Sequence, residues 1–181
     1  TITDNVGCSD TVVITLTEPN PLQLTCNITQ PITQLNGNDG QVSIDIAGGT
    51  GPFQLSWTGP SNGNQTVTSN QTVLIDNLSA GTYRFTILDE NDWEDNCSLT
   101  LTDVDCSNLE LNLTPQDLSC FGANDGLIIS RVNGAIGTVS YEWNNGVTTP
   151  SLNNLAAGAY TLTIRDEAGC SLTENVNINA P

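Results

Sequence analysis

Hydrophobic and polar residues alternate along most of this chain. The runs Gln41-Val42-Ser43-Ile44-Asp45-Ile46, Thr82-Tyr83-Arg84-Phe85-Thr86-Ile87 and Ala159-Tyr160-Thr161-Leu162-Thr163-Ile164 all have period two. That period sends one set of side chains to a core and the other to water, so each run is predicted to be a half-buried strand. No segment carries a convincing helical period. Asn-Asp-Gly, Gly-Gly-Thr-Gly-Pro, Asn-Asn-Gly and Ala-Gly punctuate the runs. These are turn words, in which Gly and Asn are expected to supply positive φ angles.

The pattern is written more than once. Asn36–Trp57 aligns with Gly122–Trp143 at an offset of 86 residues, matching Asn38-Asp39-Gly40 to Asn124-Asp125-Gly126 and Trp57 to Trp143. Beyond the tryptophan, Asn-Leu-Ser-Ala-Gly-Thr-Tyr (77–83) matches Asn-Leu-Ala-Ala-Gly-Ala-Tyr (154–160) at an offset of 77, so the second copy is nine residues shorter there. Internal repetition marks tandem units. The chain divides into residues 1–20, the tail of a preceding repeat or an extension, then repeats at 21–105 and 106–181. Six or seven short strands in each unit of about 80 residues predict an all-β fold, as tandem immunoglobulin-like β-sandwich repeats.

Two residue types are assigned to that architecture. Tyr83 and Tyr160 follow Leu-x-Ala-Gly-x and are expected to form tyrosine corners, with the hydroxyl bonded back to the preceding loop. Trp57 and Trp143 end equivalent strands and are expected in the core.

Composition narrows the function classes. The sequence has no Lys, His or Met, three Arg, 20 acidic residues and a formal charge of −17. Such a surface repels nucleic acid and anionic membranes, and favours solubility and cations. No apolar run approaches the ~20 residues that a membrane helix needs, so neither a nucleic-acid partner nor membrane insertion is expected. Without His, Ser-His and Cys-His catalysis is excluded, and the acidic pairs sit in no glycosidase context. The expectation is a protein without catalytic residues. Six Cys, with no Cys-x-x-Cys pair of zinc or redox type, point to disulfides in an oxidising compartment. The chain opens in the middle of a repeated phrase, so it is expected to be a piece of a longer exported protein.

Calcium is the candidate cofactor. Asp89, Asp92, Glu94 and Asp95 crowd one predicted loop, and hard cations take such oxygen ligands. The loop lacks the Gly and Glu of an EF-hand. Asp103 and Asp105, between the repeats, form a second candidate set that would stiffen the linker. Trp93 reads as part of a four-residue insertion in the acidic turn and is a candidate contact for a partner or glycan. Asp39 and Asp125 read as self-capping turn residues.

Strand parity constrains the cysteines. With six alternating strands per repeat, the turns after the first and fifth strands share an end, which pairs Cys120 with Cys170 and brings Cys26 near Cys106. A seventh strand would forbid Cys120–Cys170 and imply Cys26–Cys97 in the first repeat. The short Trp143–Tyr160 connection leaves room for one strand and favours Cys120–Cys170.

Cys120, Gly122, Asp125, Gly126, Trp143, Gly146, Leu155, Gly158, Tyr160, Asp166, Gly169 and Cys170 together spell Cys-x-Gly-x-x-Asp-Gly, Trp-x-x-Gly, Leu-x-x-Gly-x-Tyr and Asp-x-x-Gly-Cys. This resembles the SprB repeat of giant surface adhesins in gliding Bacteroidota. The first repeat departs from the pattern, with Gln34 in place of the first Cys and a longer Asp89–Cys97 spacing. The resemblance implies a stalk or adhesive segment on the cell surface, exported by the type IX secretion system and serving attachment or gliding. It implies neighbouring repeats and surface polysaccharide or filament components as partners. Asp10-Thr11-Val12 also resembles the O-glycosylation sequon of that phylum, which makes Thr11 a candidate.

Overall fold

The computed structural model describes residues 1–14 and 20–181. Every regular element among them is a strand. A short hairpin, β1 (Ile2–Thr3) and β2 (Ser9–Asp10), comes first. The first repeat contributes β3 (Gln23–Gln30), β4 (Gly40–Ala47), β5 (Phe53–Thr58), β6 (Gly63–Val67), β7 (Thr72–Leu78), β8 (Gly81–Leu88) and β9 (Glu94–Leu101). The second contributes β10 (Glu110–Gln116), β11 (Gly126–Asn133), β12 (Val139–Trp143), β13 (Ser151–Leu155), β14 (Gly158–Asp166) and β15 (Ser171–Ile178).

Sheets of order β3-β4-β7 and β6-β5-β8-β9 lie face to face in the first repeat; β10-β11-β13 and β12-β14-β15 do so in the second. All pairings are antiparallel. The alternating runs explain the layering. Val42, Ile44 and Ile46 of one sheet meet Leu55, Tyr83, Phe85 and Ile87 of the other in one cluster. Ile128, Leu152 and Leu155 meet Trp143, Leu162 and Ile164 in a second cluster. These are immunoglobulin-like sandwiches, each with its own core.

The repeated words have identifiable physical causes. Tyr83 Oη donates to the Ser79 carbonyl at 3.2 Å and Tyr160 Oη to the Ala156 carbonyl at 3.1 Å, so both tyrosine corners are present. The Asn before each corner Leu is left-handed, with φ of 59° at Asn77 and 54° at Asn154. There two residues oppose one on the neighbouring strand, between Gly40 and Val42 and again between Gly126 and Ile128. The glycine of Asn-Asp-Gly is required by close approach and not by a positive φ. A Cβ on Gly40 would sit 2.8 Å from the Leu78 carbonyl oxygen, and one on Gly126 would sit 3.0 Å from that of Leu155.

The expected Cys120–Cys170 bond is corrected by the structure. Cys170 is bonded to Cys106, with Cα atoms 5.5 Å apart, and Cys120 is an exposed free thiol. Strand parity does not place the cysteines here because the chain crosses the second sandwich once more than it forms strands. In the first repeat β6 carries the chain back after β5. In the second repeat residues 144–150 make that return without forming a strand. They are held by Trp143 N–H to the Val147 carbonyl and Trp143 Nε1–H to the Thr149 carbonyl, each at 2.9 Å. Six strands therefore make seven passes, and Cys120 and Cys170 lie at opposite ends. Cys106, which the six-strand scheme brought near Cys26, is used here. The first repeat has seven strands and its bond is Cys26–Cys97, joining β3 to β9 across a Cα separation of 6.0 Å.

Candidate functional site

The acidic turn that follows the tyrosine strand in each repeat has the same geometry as the turn at Asp4 in the first hairpin. Asp89 Oδ1 accepts the backbone N–H of Asn91 at 2.8 Å and of Trp93 at 3.0 Å, while Oδ2 accepts that of Thr50 at 3.0 Å. Asp166 does the same work, taking Cys170 N–H on Oδ1 and Ile136 N–H on Oδ2, both at 2.9 Å. Asp4 takes the N–H groups of Val6 and Cys8, both at 2.9 Å. The third turn residue, Asp92, Gly169 or Gly7, has positive φ in every copy. Each carboxylate thus locks a hairpin, and Asp89 and Asp166 also tie it to a neighbouring loop.

This geometry removes the inferred insertion around Trp93. Gly81 pairs with Leu101 and Gly158 with Ile178, an offset of 77 on both strands of the hairpin. The two hairpins are therefore the same length. Trp93 stands where Cys170 stands in the second repeat, and Cys97 lies four residues further along β9. Cys8 is the counterpart of Cys170 and is an exposed free thiol.

The six carboxylates proposed for a cation do not converge. Asp89 is buried and saturated by amides. Burial pushes its pKa up, but the amides of Trp93, Thr50 and Asn91 outweigh that and hold it below the ordinary carboxylate value. Asp95 Oδ2 accepts the Leu24 N–H at 2.7 Å, fixing β3 beside β9. Asp103 accepts the N–H of Asn36 at 3.0 Å, and Asp105 that of Ser107 at 2.9 Å. The Ser107 backbone and hydroxyl bonds lower the pKa of Asp105. Asp92 and Glu94 are exposed and sit apart from such networks. Among the described residues no three acidic or Cys side chains are grouped so as to hold a metal ion. Oxygen-rich sequence here serves backbone N–H groups, which sequence spacing does not distinguish from cation ligation.

Asp39 and Asp125 also differ from their self-capping reading. Each reaches six residues back, Asp39 to the hydroxyl and N–H of Thr33 and Asp125 to the N–H of Ser119. The side-chain bond from Thr33 lowers the pKa of Asp39, and that from Ser119 lowers that of Asp125.

Of the candidate contact residues, Trp93 is 71% exposed and borders a cleft of about 720 Å³ with Leu22, Gly49, Thr50 and Asp89. Trp143 is 1% exposed, in the core; Trp57 is half-buried against Phe85. Thr11 is exposed, its hydroxyl 3.0 Å from that of Thr1. A feature absent from the sequence reading is a junction between the repeats. The Leu35 N–H donates to the Ala168 carbonyl at 2.8 Å, and a cavity of about 240 Å³ lies between Thr33 and Gln34 on one side and Ile136, Gly137 and Glu167 on the other. Its only sequence signal was the repetition of both participating turns.

No curated protein matches the chain. Among solved structures, a segment of two fibronectin type III domains from chicken tenascin is 14% identical, with 88% of this chain and 98% of that one covered at a TM-score of 0.31. The C-terminal 282-residue fragment of intimin, solved with the intimin-binding domain of the translocated intimin receptor, is 11% identical. It covers 90% of this chain and 65% of that one at a TM-score of 0.30. Neither superposes closely enough to add to the strand order described above. The SprB repeat family model matches residues 112–148, from β10 into the return segment after β12, so this stretch of the second sandwich is similar to the SprB repeat.

Proposed function

We propose that the chain is a spacer segment of a large extracellular cell-surface adhesin, carrying load between an anchor and a contact surface in attachment or gliding, with export by the type IX route that the SprB resemblance implies. The observation that supports this most is the placement of the disulfides. Cys26–Cys97 closes 71 residues of the first repeat and Cys106–Cys170 closes 64 of the second. A pulled chain takes the covalent short cut, so an unfolded repeat releases little length. Reduction would free roughly 220–250 Å of contour per repeat. The carboxylates of Asp4, Asp89 and Asp166 are engaged in turn locks, which fits a structural role for these residues.

Single-molecule pulling tests the reading. Two unfolding events with short extensions are expected in oxidising buffer, lengthening by about that amount after reduction. Equal extensions in both buffers would sink it. The cleft beside Trp93 favours a second reading, glycan binding. A polysaccharide array probed with the chain and with Trp93→Ala separates the two, since only the lectin reading requires binding that the substitution abolishes.

A further inference from the structure

The contact between the repeats is made by parts that each repeat possesses, and one of them is left unused at the far end of the second. In the first repeat the loop between β3 and β4 is held by Asp39 on Thr33 and by the Gly37 N–H on the Gln34 carbonyl at 2.8 Å. Its tip, Leu35, meets the Glu167-Ala168-Gly169 turn. The Leu35 N–H donates to the Ala168 carbonyl, and its Cβ lies 3.6 Å from where a Cβ on Gly169 would be. Leu35 is 38% exposed and Ala168 1%.

The loop between β10 and β11 repeats this construction at an offset of 86. Asp125 holds Ser119, the Ala123 N–H donates to the Cys120 carbonyl at 3.1 Å, and Gly122 takes the positive φ of Asn36. Phe121 stands where Leu35 stands and is 87% exposed, the most exposed large hydrophobic residue among those described. The chain leaves the second sandwich at this same end. Ile178 is the register counterpart of Leu101, the residue from which the chain enters the inter-repeat linker.

We propose that the Cys120–Gly122 loop is a docking surface for a further copy of this repeat. The Phe121 N–H would donate to the carbonyl two residues beyond that copy's turn aspartate, and the Phe121 ring would cover its turn. The junction already seen between Leu35 and Ala168 is the template, a head-to-tail contact that the next copy would repeat. Stacking this way orients successive sandwiches instead of leaving them as loose beads. The inference rests on the spacer reading for its occupant, yet fails separately: a chain can be inextensible in pulling while Phe121 stays bare.

The test is amide hydrogen exchange read by NMR on the 181-residue chain and on an extended chain in which residues 1–178 are followed by residues 102–181. In the first chain the Leu35 amide is expected to exchange slowly and the Phe121 amide fast. In the extended chain the Phe121 amide of the internal copy should slow by at least about tenfold, as a newly closed hydrogen bond does, while that of the added copy stays fast. Fast exchange at Leu35 in the original chain, or an unchanged Phe121 rate in the extended one, overturns the proposal. A second arm does not depend on the added copy. Leu35→Phe places the Phe121 side chain in the existing junction and should keep the amide at position 35 protected. Loss of that protection would also overturn it.

Discussion

Replacing Cys106 by Ser together with Cys170 by Ala opens the second disulfide and tests the fold where the sequence argument and the structure disagree. The bond closes 64 residues of chain. The loop-entropy relation then gives about 14 cal/mol/K, or about 4 kcal/mol at 25 °C. For a unit of this size each kcal/mol moves Tm by roughly 4–8 °C, so the second repeat should melt roughly 15–30 °C lower. Calorimetry combined with hydrogen exchange on peptides from β11 and β14 assigns the loss to that repeat, with β4 and β8 as internal controls. Cys120→Ser should change stability by less than about 0.5 kcal/mol, because that thiol is exposed and unbonded. A large loss with Cys120→Ser and a small one with the double variant, or a Cys120–Cys170 peptide in a non-reducing digest, would refute the pass-counting argument.

Other consequences follow from the turn locks and the core. Asp166→Ala leaves the N–H groups of Cys170 and Ile136 without their carboxylate and should cost on the order of 2–4 kcal/mol in denaturant unfolding. Asp39, Asp89, Asp105 and Asp125 are held below the ordinary carboxylate pKa when folded. Their contribution is therefore present in full above about pH 4, the unfolded value, and is lost as pH falls through the folded pKa values. General repulsion among the acids relaxes over the same range, so Asp89→Asn is the control, and its denaturation midpoint should fall less steeply with acid than that of the parent. Trp143→Ala should cost about 3–5 kcal/mol, whereas Trp93→Ala should stay within about 0.5 kcal/mol; equal losses would mean that the two tryptophans are misplaced.

Much of the architecture was legible because it rests on local rules. Period-two alternation identified the strands around Val42, Phe85 and Leu162, and the shared words identified the repeats and both tyrosine corners. The candidate site was less legible. Asp89, Asp95, Asp103 and Asp105 read as an oxygen-rich cluster because sequence shows proximity along the chain, while their partners, among them Thr50, Leu24 and Asn36, come from distant segments. Trp93 reads as part of an insertion when Cys97 is matched to Cys170, and only strand register shows that the hairpins are equal.

By itself the sequence determined the layered β character, the unit of repetition and the turns, since each follows from side-chain alternation or from the backbone freedom of Gly and Asn. The tertiary structure alone decided which cysteines meet, what the carboxylates bind and how one repeat sits on the next. Those depend on how many times the chain crosses the sandwich and on which loops the crossings bring to the same end. A return segment such as residues 144–150 changes that outcome without leaving a strand signature in the sequence.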